Sequence, residues 1–85
     1  MLSNRRSSIE VIADILRLAE AGRNEIMYAA NVSHHQLPRY LNLMLRLKLV
    51  DKVTTDNESV TYRVTIEGLR LLRNIDSVLD ILEGN

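Results

Sequence analysis

The sequence predicts an α+β fold of three helices, a β-hairpin and a fourth helix, and three observations carry the prediction. Apolar residues recur at helical spacing over residues 8–21 and 66–83. Two runs rich in Val, Thr and Tyr, 50–55 and 59–65, flank the polar turn Asp56, Asn57 and Glu58 as the arms of a hairpin would. Between these regions, Ser33 and Gln36 stand three apart as a helix-start pair, two residues after a short helix has ended. The 85 residues make one domain, 1–85, with no repeat, linker or low-complexity segment.

The first helix is expected over about residues 8–21. Ser7 and Glu10 form a capping pair, Ile9, Ile12, Leu16 and Ala19 supply the apolar stripe, and Gly22 offers a stop. Asn24 then caps a second helix through Ala30, with Ile26, Met27 and Ala30 turned inward and Asn31 breaking it. Only Asn31 and Val32 separate it from the next cap at Ser33, which is helix-turn-helix spacing.

The third helix is expected over about 34–47. Its alternating leucines at 41, 43, 45, 47 and 49 also fit a strand, but Leu, Met, Arg and Lys are strong helix formers and no β-branched residue appears before Val50. Pro38 leaves two starts open. With Ser33 as cap, proline is the fifth helical residue and distorts the first turn; with a start near Gln36 it falls third, where the missing N–H has no partner in any helix. Either way Leu37, Tyr40, Leu41, Met44 and Leu45 share one side and His35, Arg39, Asn42 and Arg46 the other. His34 is expected to pack toward the second helix.

Thr65 caps the last helix, about 66–83. Leu69, Leu72, Ile75, Leu79 and Leu82 form one stripe, which Leu71 and Val78 widen to roughly half the wheel, against the ~100° usual for a surface helix. Leu69 and Leu72 are expected in the core. Leu71, Ile75, Val78, Leu79 and Leu82 extend past what so small a domain can cover, so this helix is expected to form a homodimer.

Eleven basic and eleven acidic residues cancel, and overall charge gives no support for an anionic partner. Distribution says more. Residues 1–55 hold eight Lys or Arg against five Asp or Glu, net +3, and residues 56–85 hold three against six, net −3, so an anion-binding surface belongs to the first two thirds. The absence of cysteine excludes disulfides and thiolate metal sites and fits a reducing, cytoplasmic setting. No secretion signal is expected, because the two N-terminal arginines lead into a segment carrying Glu10 and Asp14, and no run approaches the ~18 apolar residues of a membrane span. His34 and His35 point about 100° apart on a helix and have no third His or Cys nor a carboxylate at i+3 or i+4, so no metal is expected. Ser33 beside them is a cap rather than a nucleophile, no glycine-rich phosphate loop or defined acidic pair exists, and neither enzyme, cofactor nor small-molecule ligand is expected.

Helix, helix, helix, hairpin, helix is the order of a winged helix. The runs IEVIADIL (9–16), EIMYAANVS (25–33), QLPRYLNLML (36–45) and YRVTIEGLRLL (62–72) together resemble the archaeal winged-helix DNA-binding proteins regarded as predicted transcriptional regulators. That group includes small chromatin-type proteins that dimerise through their last helix. The most specific part is Ile26, Met27, Tyr28, Asn31 and Ser33 with Tyr40 and Leu41 behind them; Tyr62, Val64, Thr65 and Gly68 match an ending common to many winged helices. The resemblance implies a third helix in the major groove of double-stranded DNA, a wing near the phosphates or minor groove, and a dimer. Three departures stand beside it. Only Gly22 and Arg23 separate the first two helices, which makes a third wing strand doubtful; the chain ends soon after Leu82, short of a long terminal coiled coil; and Pro38 stands where relatives more often carry a polar or basic residue.

The candidate DNA contacts follow. Arg39 and Arg46 have the guanidinium chemistry for guanine edges or phosphates, and Asn42 that for adenine. His35 and Gln36 lie at the leading edge of the same helix, a contact from His35 strengthening as it protonates. Arg5 and Arg6 precede the first cap as a basic arm, and Lys52 and Arg63 are the hairpin's cations. Asp56 and Glu58 oppose deep insertion of the tip, which leaves polar contacts from Thr54, Thr55 and Asn57. The expectation is a homodimeric transcriptional regulator or nucleoid-associated factor; the competing reading is a winged-helix module that binds protein and not DNA.

Overall fold

A computed structural model describes residues 7–84. Helix α1 runs Ser8–Leu16 and is opened by a reciprocal cap: Ser7 Oγ accepts from the Glu10 N–H at 3.1 Å, and the Glu10 carboxylate accepts from the Ser7 N–H at 3.1 Å. It stops five residues short of the expected end. Ala19 takes a left-handed φ of 65°, and Glu20–Ala21 becomes a strand, β1. The shorter helix buries Val11, Ala13, Ile15 and Leu16 and leaves Ile9 55% exposed, so the core face is rotated from the Ile9, Ile12, Leu16, Ala19 stripe.

Gly22 therefore does not end α1 but begins α2, Arg23–Ala30. The cap is also not Asn24: the Glu25 carboxylate accepts the Gly22 N–H at 3.0 Å. Asn31 ends α2 as expected, with φ 56°, and the Val32 N–H reaches back to the Met27 carbonyl at 3.2 Å.

The two starts left open at Pro38 prove compatible. Ser33 Oγ accepts from the Gln36 N–H, and Gln36 Oε1 from the Ser33 N–H, both at 3.2 Å, which closes a single turn. Helix α3, Leu37–Arg46, begins after it with Pro38 as its second residue. A proline there loses no helical bond, so the cap is kept and the clash avoided. Leu37, Leu41 and Met44 are buried on its inner face, with Tyr40 and Leu45 half-buried beside them.

Strands β2, Val50–Thr54, and β3, Val60–Val64, pair antiparallel, and β1 adds to the free edge of β3, giving the order β1-β3-β2. The third strand thus exists, because α1 ends at Leu16 and frees residues 17–22 to form it, where the sequence leaves only Gly22 and Arg23 between the expected helices. Long-range partners hold it: Val64 N–H donates to Ala19 at 2.7 Å, and the Glu20 carboxylate accepts from Thr61 Oγ1 at 2.7 Å and Arg63 Nε at 3.1 Å. The Thr61 hydroxyl first, and the Arg63 guanidinium second, hold the Glu20 carboxyl below the usual glutamate range.

Helix α4, Ile66–Leu82, starts at Thr65, whose Oγ1 accepts the Gly68 N–H at 3.0 Å while donating toward the carbonyls of Lys48 at 2.7 Å and Leu49 at 3.1 Å. Gly68 faces inward. A Cβ on it would lie 2.3 Å from the Leu49 carbonyl oxygen and 2.7 Å from Val64 Cγ2. This sets the docking line as Gly68, Leu72 and Ile75, and turns Leu69 about 100° away from it. Leu69 is accordingly 52% exposed instead of belonging to the core. The distal half of α4 runs on past the domain: the long axis is 46 Å and the radius of gyration 13.4 Å, against about 12 Å for a compact chain of this length.

Two outcomes are expected. Gly68→Ala will lower the urea midpoint by the equivalent of about 1–3 kcal/mol or more from overpacking, although alanine in a free helix gains up to about 1 kcal/mol over glycine; unchanged stability would mean that α4 does not press on Leu49. A depressed Glu20 pKa contributes stability that is present above the unfolded value and is lost as pH falls through the folded one. Amide protection at Val64 will therefore drop through that acid window in the native chain and show no such step in Glu20→Gln.

Candidate nucleic-acid interface

Helix α2, the tight turn and α3 present one amphipathic helix outward. Its inner face is fixed by Leu37, Leu41 and Met44, and this leaves His35, Gln36, Arg39, Asn42 and Arg46 exposed together on the other side. Arg39 and Arg46 are two turns apart, about 10 Å along the axis, with Asn42 between them. His34 is exposed as well and does not pack toward α2, because the Ser33 turn swings both histidines outside the helix proper.

The electrostatics of this face differ from those of the whole chain. No acidic residue occurs between Glu25 and Asp51, whereas Arg39, Arg46 and Lys48 all fall there. Three arginines elsewhere are neutralised locally: Arg17 pairs with Asp14 at 3.1 Å and with Asp76, Arg63 with Glu20 at 3.1 Å, and Arg70 with Glu67 at 3.7 Å. Among the described residues Arg39 and Arg46 form no such pair. An unneutralised guanidinium with a rigid fork suits a guanine edge or a phosphate, and an asparagine amide suits an adenine edge.

The wing candidates divide. Lys52 and Thr54 are exposed on β2. Thr55 Oγ1 donates to the Ser59 carbonyl, and lies 3.2 Å from Asn57 Oδ1, so both polar groups hold the turn itself. Arg63 is not a free cation: Glu20 binds it from β1, and Asp51 is its partner in register on β2. Arg5 and Arg6 lie outside the described residues.

Two features are not readable from the sequence: the exposure of Tyr28 and a notch beside α3. Tyr28, on α2, is 93% exposed, and no periodicity announces an aromatic left in solvent. A notch beside the leading edge of α3 is lined by Ser8, Gln36, Arg39, Tyr40 and Leu43. It brings α1 against α3, which only the tertiary fold can do, and the signal for it was the amphipathic nature of Tyr40.

The last helix and the start of α1 form a groove whose apolar lining is Ile9, Leu71, Ile75, Val78, Leu79 and Leu82. Ile75 is already 8% exposed within its own chain, Leu71 and Leu79 are half-buried, and Val78 and Leu82 are 52% and 75% exposed. Ile81, at 72%, adds to the open apolar surface. Among the described residues no three His, Cys, Asp or Glu side chains gather as a metal site would need, and no helix is long and apolar enough to cross a membrane.

No curated protein matches the chain. Among solved structures it is similar to Sso10a-2, a DNA-binding protein from Sulfolobus solfataricus, with a TM-score of 0.83 and 24% identity over 92% of this chain and 83% of that one. At that identity the likeness is one of fold. The winged helix-turn-helix family profile matches residues 5–83, and the chain belongs to that family.

Proposed function

We propose that this chain binds double-stranded DNA as a homodimer, as a transcriptional regulator or nucleoid-associated factor in the cytoplasm, with α3 in the major groove. The observation that carries the reading is the exposed stripe of Arg39, Asn42 and Arg46 in a stretch without acidic residues. An α-helix is about 10–12 Å across with its side chains, and a major groove about 12 Å wide admits α3. Membership of the winged helix-turn-helix family supports the same reading, as does likeness to a protein described as DNA-binding. Zero net charge does not oppose it, because steering follows the local field and the acids are concentrated beyond residue 55. Gln36 and His35 approach the groove first; Lys52 and Thr54 of the wing lie toward phosphates, and the amide nitrogen of Asn57 remains for the same role.

The homodimer rests on α4. Val78, Ile81 and Leu82 would leave a continuous apolar surface in water, and a second copy of the same helix covers it while placing two reading heads on one duplex.

Duplex affinity will fall as salt rises, log K dropping by about 0.9 per phosphate contact per log unit. Arg39→Ala and Arg46→Ala will each weaken binding by ~1–3 kcal/mol where they read a base, with thermal unfolding unchanged. Full affinity in the double variant removes α3 from the interface, and no duplex binding even at low salt leaves the protein-binding module. Val78→Glu with Leu82→Glu will sediment as a folded monomer; a dimer persisting at micromolar concentration puts the contact elsewhere.

A further inference from the structure

The notch between α1 and α3 has a one-sided chemistry. Among the described residues its polar lining consists of the Ser8 and Tyr40 hydroxyls, the Gln36 amide and the Arg39 guanidinium, with the Leu43 side chain as the apolar wall. Every polar member can donate a hydrogen bond, one carries a full positive charge, and no carboxylate is among them. The nearest acid in sequence, Glu10, is held by the Ser7 N–H and hydroxyl in the α1 cap.

The two hydroxyls face each other. Tyr40 OH donates to Ser8 Oγ at 3.4 Å, well beyond the ~2.7–2.8 Å usual between hydroxyl oxygens, so this bond is weak: Ser8 keeps its own proton to donate, and Tyr40 can turn its one proton to a stronger acceptor. Tyr40 is positioned by its ring, which packs half-buried against the core, and Ser8 by the first turn of α1. The gap is therefore set by two rigid helices and not by flexible side chains.

We infer that this notch is the seat of one backbone phosphate of the bound duplex, with Ser8 and Tyr40 as positioning residues that set how α3 enters the groove. The inference rests on the DNA reading above. A phosphate oxygen between the two hydroxyls takes a donor from each, Gln36 serves a second oxygen, and Arg39 neutralises the charge from the base-reading side. Contacts to phosphate fix register and orientation without reading sequence. Arg39 thereby sits at the junction of the two roles, and the serine and tyrosine restrict which of them it can take.

The test compares Ser8→Ala/Tyr40→Phe with the native chain on a generic duplex. The variant keeps the ring and the helix and removes only the two hydroxyls. Its affinity will fall about tenfold, as loss of two donors to a charged group implies, and its salt slope will match that of the native chain, because neither hydroxyl displaces a counterion. Arg39→Ala, in contrast, will lose both affinity and slope. A second measurement follows the amide resonances of Ser8, Gln36 and Tyr40 on adding duplex and, separately, inorganic phosphate. Shifts in both arms support the seat. Shifts with inorganic phosphate alone make the notch a free-anion site and overturn the backbone contact, as do no shifts in either arm or native affinity in the double variant. If those results come with weakened binding in Arg46→Ala, only the notch has failed; if the native chain binds no duplex, the DNA reading fails with it.

Discussion

The close approach of Gly68 to the Leu49 carbonyl is the constraint on which the arrangement of this molecule depends. A side chain of any size at 68 would meet that oxygen and Val64. Because glycine stands there, the start of α4 sits directly on the segment where α3 has just ended and β2 begins. Thr65 ties the same place by hydrogen bonds, its hydroxyl reaching the Lys48 and Leu49 carbonyls and its N–H the Leu49 carbonyl at 3.0 Å. One small contact thus fixes three elements relative to one another: the reading helix, the wing and the terminal helix. If the terminal helices join two copies, this junction transmits their spacing to the two α3 faces.

The second organising feature is the separation of neutralised from unneutralised arginine. Arg17, held by Asp14 at the end of α1, links that helix to α4 through Asp76, and Arg63 links β3 to β1 through Glu20. These exposed pairs contribute little to stability individually. Their larger effect is to remove cations from surfaces where DNA is not expected and to leave those of α3 uncompensated. A protein with no net charge can in this way present a local anion-binding face.

Much of this was legible in the sequence, and what was not has a common cause. The Ser7–Glu10 and Ser33–Gln36 pairs, Asn31 as a stop, Thr65 as a cap, the hairpin and the two faces of α3 are local signals, and the structure has each of them. Strand β1 is doubtful from the sequence because only Gly22 and Arg23 stand between the first two expected helices, and the partners that hold Glu20 are 41 and 43 residues away. The sequence expects Leu69 in the core because it lies beside the hairpin, whereas the packing follows Gly68, whose approach to Leu49 leaves Leu69 exposed. The outward stripe of the candidate site was readable from helical period alone; the neutralisation of Arg63 and the notch beside Tyr40 depend on contacts between distant segments, which no local pattern encodes.

The central claim is that the outward face of α3 meets DNA in the major groove, and a crystal structure of the chain with duplex DNA tests it most directly. The account predicts α3 within the major groove, Asn42 facing base edges and Arg39 and Arg46 within hydrogen-bond distance of bases or phosphates. A complex in which the duplex lies against α4 or the outer face of the sheet, with Arg39 and Arg46 in solvent, would contradict it.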